Sequence, residues 1–130
     1  MAFADIDSAT ETQIEADLAE AAGRGINGSP ADIVESFEAE LADYLALPPD
    51  VRRAFPRGDT ARLYGTALGQ ALVREGFQWQ LLIDDYGTDL VVAKDVGSAS
   101  EKYTAPLVVV DQRFEDEEPG TLTKFLGQFL

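Results

Sequence analysis

Three aspartates within six residues, Asp84, Asp85 and Asp89, come closest in this chain to a metal site. A hard cation such as Ca²⁺ or Mg²⁺ requires clustered carboxylates of this kind. They fall in the run Asp84-Asp85-Tyr86-Gly87-Thr88-Asp89, whose residue types also build a tight turn. The spacing fits no metal-binding loop, so a turn is the simpler reading and a divalent cation the alternative. Asp5-Ile6-Asp7 opens like a calcium loop but lacks the central glycine and the closing glutamate.

Charge segregation offers a second kind of site. Residues 1–50 hold 12 acidic side chains against one base, Arg24, and the next stretch reverses this with Arg52, Arg53, Arg57, Arg62 and Arg74. Pairing of these arginines with the acidic helices is the structural expectation; a site for an anion or an acidic partner is the functional one. Glu115, Asp116, Glu117 and Glu118 form an acidic run that reads as a solvated loop or as a dock for a basic partner. With Arg52, Arg53 and Arg57 they are the candidate partner-binding residues.

Catalysis has little to work with. The chain has no Cys and no His, which removes thiolate chemistry, the commonest zinc ligand and the commonest general base. Ser36, Ser98 and Ser100 have no histidine to activate them, and no lysine sits in a serine–lysine motif. A carboxylate pair with an arginine is the one chemistry left, and nothing fixes two carboxylates at a defined separation. No glycine-rich phosphate loop is present. A non-enzymatic protein without a cofactor is expected. The formal charge of −14 repels nucleic acid and anionic membranes and favours a basic protein partner, a cation or plain solubility. No apolar run approaches the roughly 20 residues of a membrane helix. The start, MAFADIDSAT, has neither a basic nor an apolar segment of a leader, so a soluble cytoplasmic protein is expected.

The periodicity supplies the elements that would carry these residues. Ser8 and Glu11 have the spacing of a capping box before a thin stripe of Ile14, Leu18 and Ala21 or Ala22, stopped by Gly23 and Gly25. That helix reads as peripheral, with Met1 to Asp5 free to be disordered. Ser29-Pro30 opens a second helix with Ile33, Phe37 and Leu41 on one face, and Pro48-Pro49 ends it. Residues 48–58 read as a turn or one helical turn. A third helix, capped by Asp59, runs to Glu75 with Gly65 and Gly69 one turn apart, small enough for another backbone to approach. Packing against the sheet or the second helix is the expected use.

After Gly76 the period becomes two. Phe77, Trp79, Leu81 and Ile83 alternate with Gln78, Gln80 and Asp84 as a half-buried strand, and Leu90 to Lys94 returns as its partner. Tyr103 to Phe114, with Pro106 near its start, reads as a third strand. Leu90–Ala93 and Leu107–Val110 are apolar on both faces, so the second face of the sheet needs a cover, either helices or another subunit. Pro119-Gly120-Thr121 starts a last helix with Leu122, Phe125, Leu126 and Phe129 on one side.

The Leu68-Gly69…Leu72 pattern in the third helix, Trp79 opening a strand, Asp85-Tyr86-Gly87 at the turn and the Pro106…Val109…Arg113 spacing resemble a bacterial domain of unknown function. The resemblance covers Thr60 to Phe114. It implies a helix-then-sheet order and no activity, with Arg113 as the matching polar position.

The expected fold is α+β in one domain, residues 1–130: N-terminal helices, a three-stranded or slightly larger antiparallel meander, and a C-terminal helix. Residues 1–25 form a loosely attached acidic helix and residues 60–130 the body. The expected function is a protein–protein interaction module of immunity or chaperone type, monomeric or homodimeric, for an unknown and basic partner. The alternative is a domain binding a small ligand or a divalent cation, with a pocket beside Trp79 or Tyr64.

Overall fold

The computed structural model describes all 130 residues. Strand β1 (Ala2–Asp5) precedes helices α1 (Ser8–Gly23), α2 (Pro30–Ala46), the single turn α3 (Pro49–Arg52) and α4 (Arg57–Arg74). Strands β2 (Gln78–Asp84), β3 (Gly87–Lys94) and β4 (Lys102–Thr104) follow, then α5 (Pro106–Gln112), a 3₁₀ turn at Arg113–Glu115 and α6 (Thr121–Phe129). The four strands form one antiparallel sheet in the order β1-β2-β3-β4. This is an α+β fold with helices at both ends of the chain and one strand more than the meander.

Helix α4 is the centre. Eleven of its residues are buried, because it lies between the sheet on one side and α2 with α6 on the other. Phe37 and Leu41 of α2, Leu63, Leu68 and Leu72 of α4, Phe114, and Leu122 and Leu126 of α6 share one core with Val92 of β3. Ser29 and Asp32 form a complete capping box at the start of α2, so that helix begins where its sequence says.

Four expectations are corrected. Met1 to Asp5 is not a disordered lead-in: Ala2–Asp5 pairs with β2 from Ala2↔Ile83 to Asp5↔Gln80. The cap of α1 is Asp7, whose carboxylate accepts from Thr10 N at 2.7 Å, and α4 begins before Asp59 with Pro56 at its cap position. The stretch 103–114 is a strand only to Thr104, then a helix. Pro106 serves as the first residue of α5, where its fixed φ and missing N–H do no harm. The β-branched run Val108–Val110 favours a strand locally, but burial of Pro106, Val110 and Phe114 at helical spacing decides the outcome.

On the second face of the sheet, residues of its own two edge strands supply cover. Phe3 of β1 and Tyr103 of β4 come from opposite edges, roughly 14 Å apart in a four-stranded sheet, and their rings meet edge to face at 5.5 Å. Leu82, Val91 and Ala93 on that face are buried. In β2 the fully buried residue is therefore Leu82, out of phase with the Trp79-Leu81-Ile83 stripe, and Ile83 is 44% exposed.

Candidate functional site

Two glycines of α4 set the geometry of the site. A Cβ on Gly69 would lie 2.2 Å from Trp79 Cη2, and one on Gly65 would lie 2.5 Å from Leu107 Cα. The absent side chains let the Trp79 ring and the backbone of α5 seat directly on the helix. Trp79 Nε1 donates to Gln70 Oε1 at 3.1 Å, which fixes the ring. Helix α4 is thus pinned to the sheet near Gly69. Towards its N-terminal half, helix and β2–β3 hairpin stand apart and leave a cavity.

That cavity has a volume of about 490 Å³. Its floor is Leu81 of β2 with Thr88 and Leu90 of β3, and one wall is the face of α1 from Ala9 to Asp17. Arg62 and Thr66 of α4 and Leu107 of α5 complete it. A second hollow of about 370 Å³, lined by Gly58, Ala61, Val108 and Asp111, shares Arg62 and Leu107 with the first. Together they make a groove with an apolar floor, open to solvent and longer than either hollow.

The polar end of the groove is acidic. Asp17 is 4% exposed, and its Oδ1 accepts from Gln13 Nε2 at 2.8 Å and from Arg62 Nη1. No side-chain or backbone donor reaches Oδ2. Arg62 also lies 3.7 Å from Glu20 and 3.5 Å from Asp59, and Glu20 pairs with Arg24 at 3.1 Å. Burial works against the Arg62 charge, but the Asp17, Glu20 and Asp59 carboxylates together outweigh it and raise the guanidinium pKa above its ordinary value. Three carboxylates against two guanidinium groups leave this cluster at −1. An anion finds no free arginine here, while a cation finds an unused carboxylate oxygen.

The residues singled out from sequence lie elsewhere. Arg52 donates to the carbonyls of Leu45 and Leu47 and sits over the Tyr44 ring at 5.6 Å, closing the C-terminus of α2. Arg53 is exposed and has no ion pair. Arg57 bonds Asp111 at 3.1 Å and Glu115 at 2.7 Å over the Phe114 ring, tying α4 to α5 and the 3₁₀ turn. Asp116 lies 3.5 Å from Arg113 without a hydrogen bond between them, and Glu117 and Glu118 are exposed. Of the arginines, Arg62 reaches the acidic helix α1. Asp84 Oδ1 accepts from Tyr86 N at 2.8 Å and so serves its own turn; no three acidic side chains stand close enough to share a metal ion.

Sequence reasoning missed Asp17, Arg62 as a site residue, and Leu107. One signal was available: Asp17 falls between Ile14 and Ala21 on the buried stripe of α1, where an acid is out of place unless something holds it.

This architecture defines an α+β domain whose central helix carries a glycine-notched seat for Trp79 and α5. The chain belongs to the family described as a domain of unknown function (DUF3806), whose model matches residues 52–125. The match spans α4, the hairpin, α5 and the start of α6, and includes the Thr60–Phe114 region that carries the resemblance. No curated protein and no solved structure matches the chain. No helix is long and apolar enough to cross a membrane.

Proposed function

We propose that this protein is a non-enzymatic binding module whose groove receives an apolar segment of a basic protein partner. The groove itself carries the reading: an open apolar floor of Leu81, Leu90 and Leu107 ends at a carboxylate with an oxygen to spare. Apolar side chains supply the affinity of such a contact and charge complementarity supplies its specificity and speed. The surrounding charge of −14 steers a basic partner in and keeps nucleic acid out. The polar groups at the groove are Thr hydroxyls, Gln13, Asp17 and Arg62; Asp17 is hydrogen-bonded to Gln13 and Arg62 and to none of the Thr hydroxyls, and a hydroxyl that no base engages is not activated, which supports binding over catalysis. A cytoplasmic setting, and a monomer or homodimer as the free form, belong to this reading.

A second reading rests on volume. The main hollow, at about 490 Å³, is of the size that takes a small ligand, and the unused Asp17 oxygen suits an amphiphile with one positive charge. A divalent cation at Asp84, Asp85 and Asp89 has no such support.

Selection of a random peptide library on the immobilised full chain tests the first reading. The selected peptides should combine apolar residues with Lys or Arg, and should lose at least tenfold in affinity for Thr88→Trp or Val108→Trp, both at exposed positions of the groove. Selected peptides indifferent to both changes would overturn it. Saturable binding of decylammonium at the groove with no peptide selected would favour the small-ligand reading.

A further inference from the structure

Strand β3 has an unfinished edge. Strand β2 pairs with it from Gly87 to Ala93, whereas β4 pairs only with Val92, Ala93 and Lys94. Residues Gly87 to Leu90 therefore have a ladder on one side and a bare edge on the other, while Val91, 1% exposed, is closed off. In an antiparallel strand, alternate residues direct both N–H and C=O to the same side, so two of these four present unpaired groups. No backbone bond from a turn, loop or cap reaches them, and Gly87, Thr88 and Asp89 are exposed.

We infer that the partner segment binds as an added β-strand, antiparallel to Gly87–Leu90 and continuing the line of β4. This rests on the binding reading above and gives it a mode. The edge and the groove are one surface: Thr88 and Leu90 of β3 line the cavity floor beside Leu81. A strand laid about 4.8 Å from β3 would turn every second side chain over that floor and towards Leu107. Main-chain bonds then supply affinity and alternate side chains the specificity. Folded proteins commonly guard a free edge with proline, a bulge or lysine. The guard here is one charge, Asp89. It repels a second copy of this chain, which would bring its own Asp89 and a further −14, and it attracts a segment carrying Lys or Arg. The occupant is accordingly an extended stretch of a basic protein in which apolar and basic residues alternate.

The probe is a ten-residue peptide of alternating Val and Lys, compared with one of the same composition in which all Val precede all Lys. Binding to the full chain is followed by titration and by amide exchange. The alternating peptide should bind at least tenfold more tightly, and exchange of edge amides within Gly87–Leu90 should slow on binding. N-methylation of one alternate set of its backbone nitrogens should abolish binding, while methylation of the other set should change it less than threefold. Equal response to the two sets, with contact still at the groove, overturns strand addition and leaves the groove reading in place. Failure of the alternating peptide to bind also overturns it, and the groove reading is then judged by the library selection alone. Protection of the same amides at high protein concentration without peptide would make a second copy the occupant and overturn the basic partner.

Discussion

At the scale of single residues, the chain's most legible feature is the spacing of two glycines. From sequence, Gly65 and Gly69 are recognisable as a place where something approaches closely; which group does so depends on α5 folding back, and that is a tertiary fact. The structure gives the two positions a sharp sign. Alanine is the better helix former by about 1 kcal/mol, yet at Gly69 its Cβ would meet Trp79 Cη2 at 2.2 Å and the ring must move. Overpacking of that kind costs about 1–3 kcal/mol, so Gly69→Ala should lower the melting temperature and shift the Trp79 emission. A Cβ added at Gly127, inside α6, would meet nothing within 4 Å, and Gly127→Ala should raise stability by about 0.5–1 kcal/mol. Equal effects at the two sites, read from denaturant midpoints, would mean that the contact with Trp79 is soft. Asp17 is the converse case. Its signal was a single acid on an apolar stripe, and only the arrival of Arg62 from 45 positions away explains it.

At the scale of elements, legibility followed local signals. Helix α2 carries its own start in Ser29-Pro30 and its own stop in Pro48-Pro49, and the hairpin carries its turn. Strand β1 has four residues and no period to read, so nothing local distinguishes Ala2–Asp5 from a loose end. Helix α5 has the opposite fault: its Leu-Val-Val-Val run signals a strand, and burial of Pro106, Val110 and Phe114, with Leu107 seated on Gly65, overrides it. Helix α6 shows how an element can depend on another. Its cap residue Gly120 has no side chain to satisfy the first N–H groups. The Glu38 carboxylate of α2 stands there instead, with Oε2 accepting from Thr123 Oγ1 at 3.1 Å and its charge near the positive end of the helix. Removing it should loosen α6 before the rest. Glu38→Ala is expected to cost about 1 kcal/mol and to speed amide exchange in Thr121–Phe129, leaving α4 and the hairpin unchanged. A uniform increase across the chain would show that Glu38 holds the whole core and not this helix end.

At the scale of the molecule, charge opposes packing. The fold gathers 24 acidic and 10 basic side chains, and three of its arginines are already committed: Arg57 to Asp111 and Glu115, Arg62 to Asp17, Glu20 and Asp59, Arg52 to the end of α2. Salt therefore acts in two directions. It weakens exposed ion pairs, each worth about 0–1 kcal/mol, and it screens the mutual repulsion of the uncompensated acids. The pair that matters most, Asp17 with Arg62, is part-buried and screened least. The repulsion involves the whole surface and is reduced once the Debye length falls to about 8 Å near physiological ionic strength. The second effect should win, so the melting temperature should rise between 10 mM and 0.5 M NaCl, and KCl should act alike because screening depends on ionic strength and not on which cation supplies it. A fall with added salt would show that the exposed pairs at Arg57 and Arg24 hold the fold against its charge. The same screening should weaken capture of a basic segment at the groove, so that salt stabilises the free protein while loosening its complex; a complex that tightens with salt would place the affinity in the apolar floor of Leu81, Leu90 and Leu107 and not in Asp17.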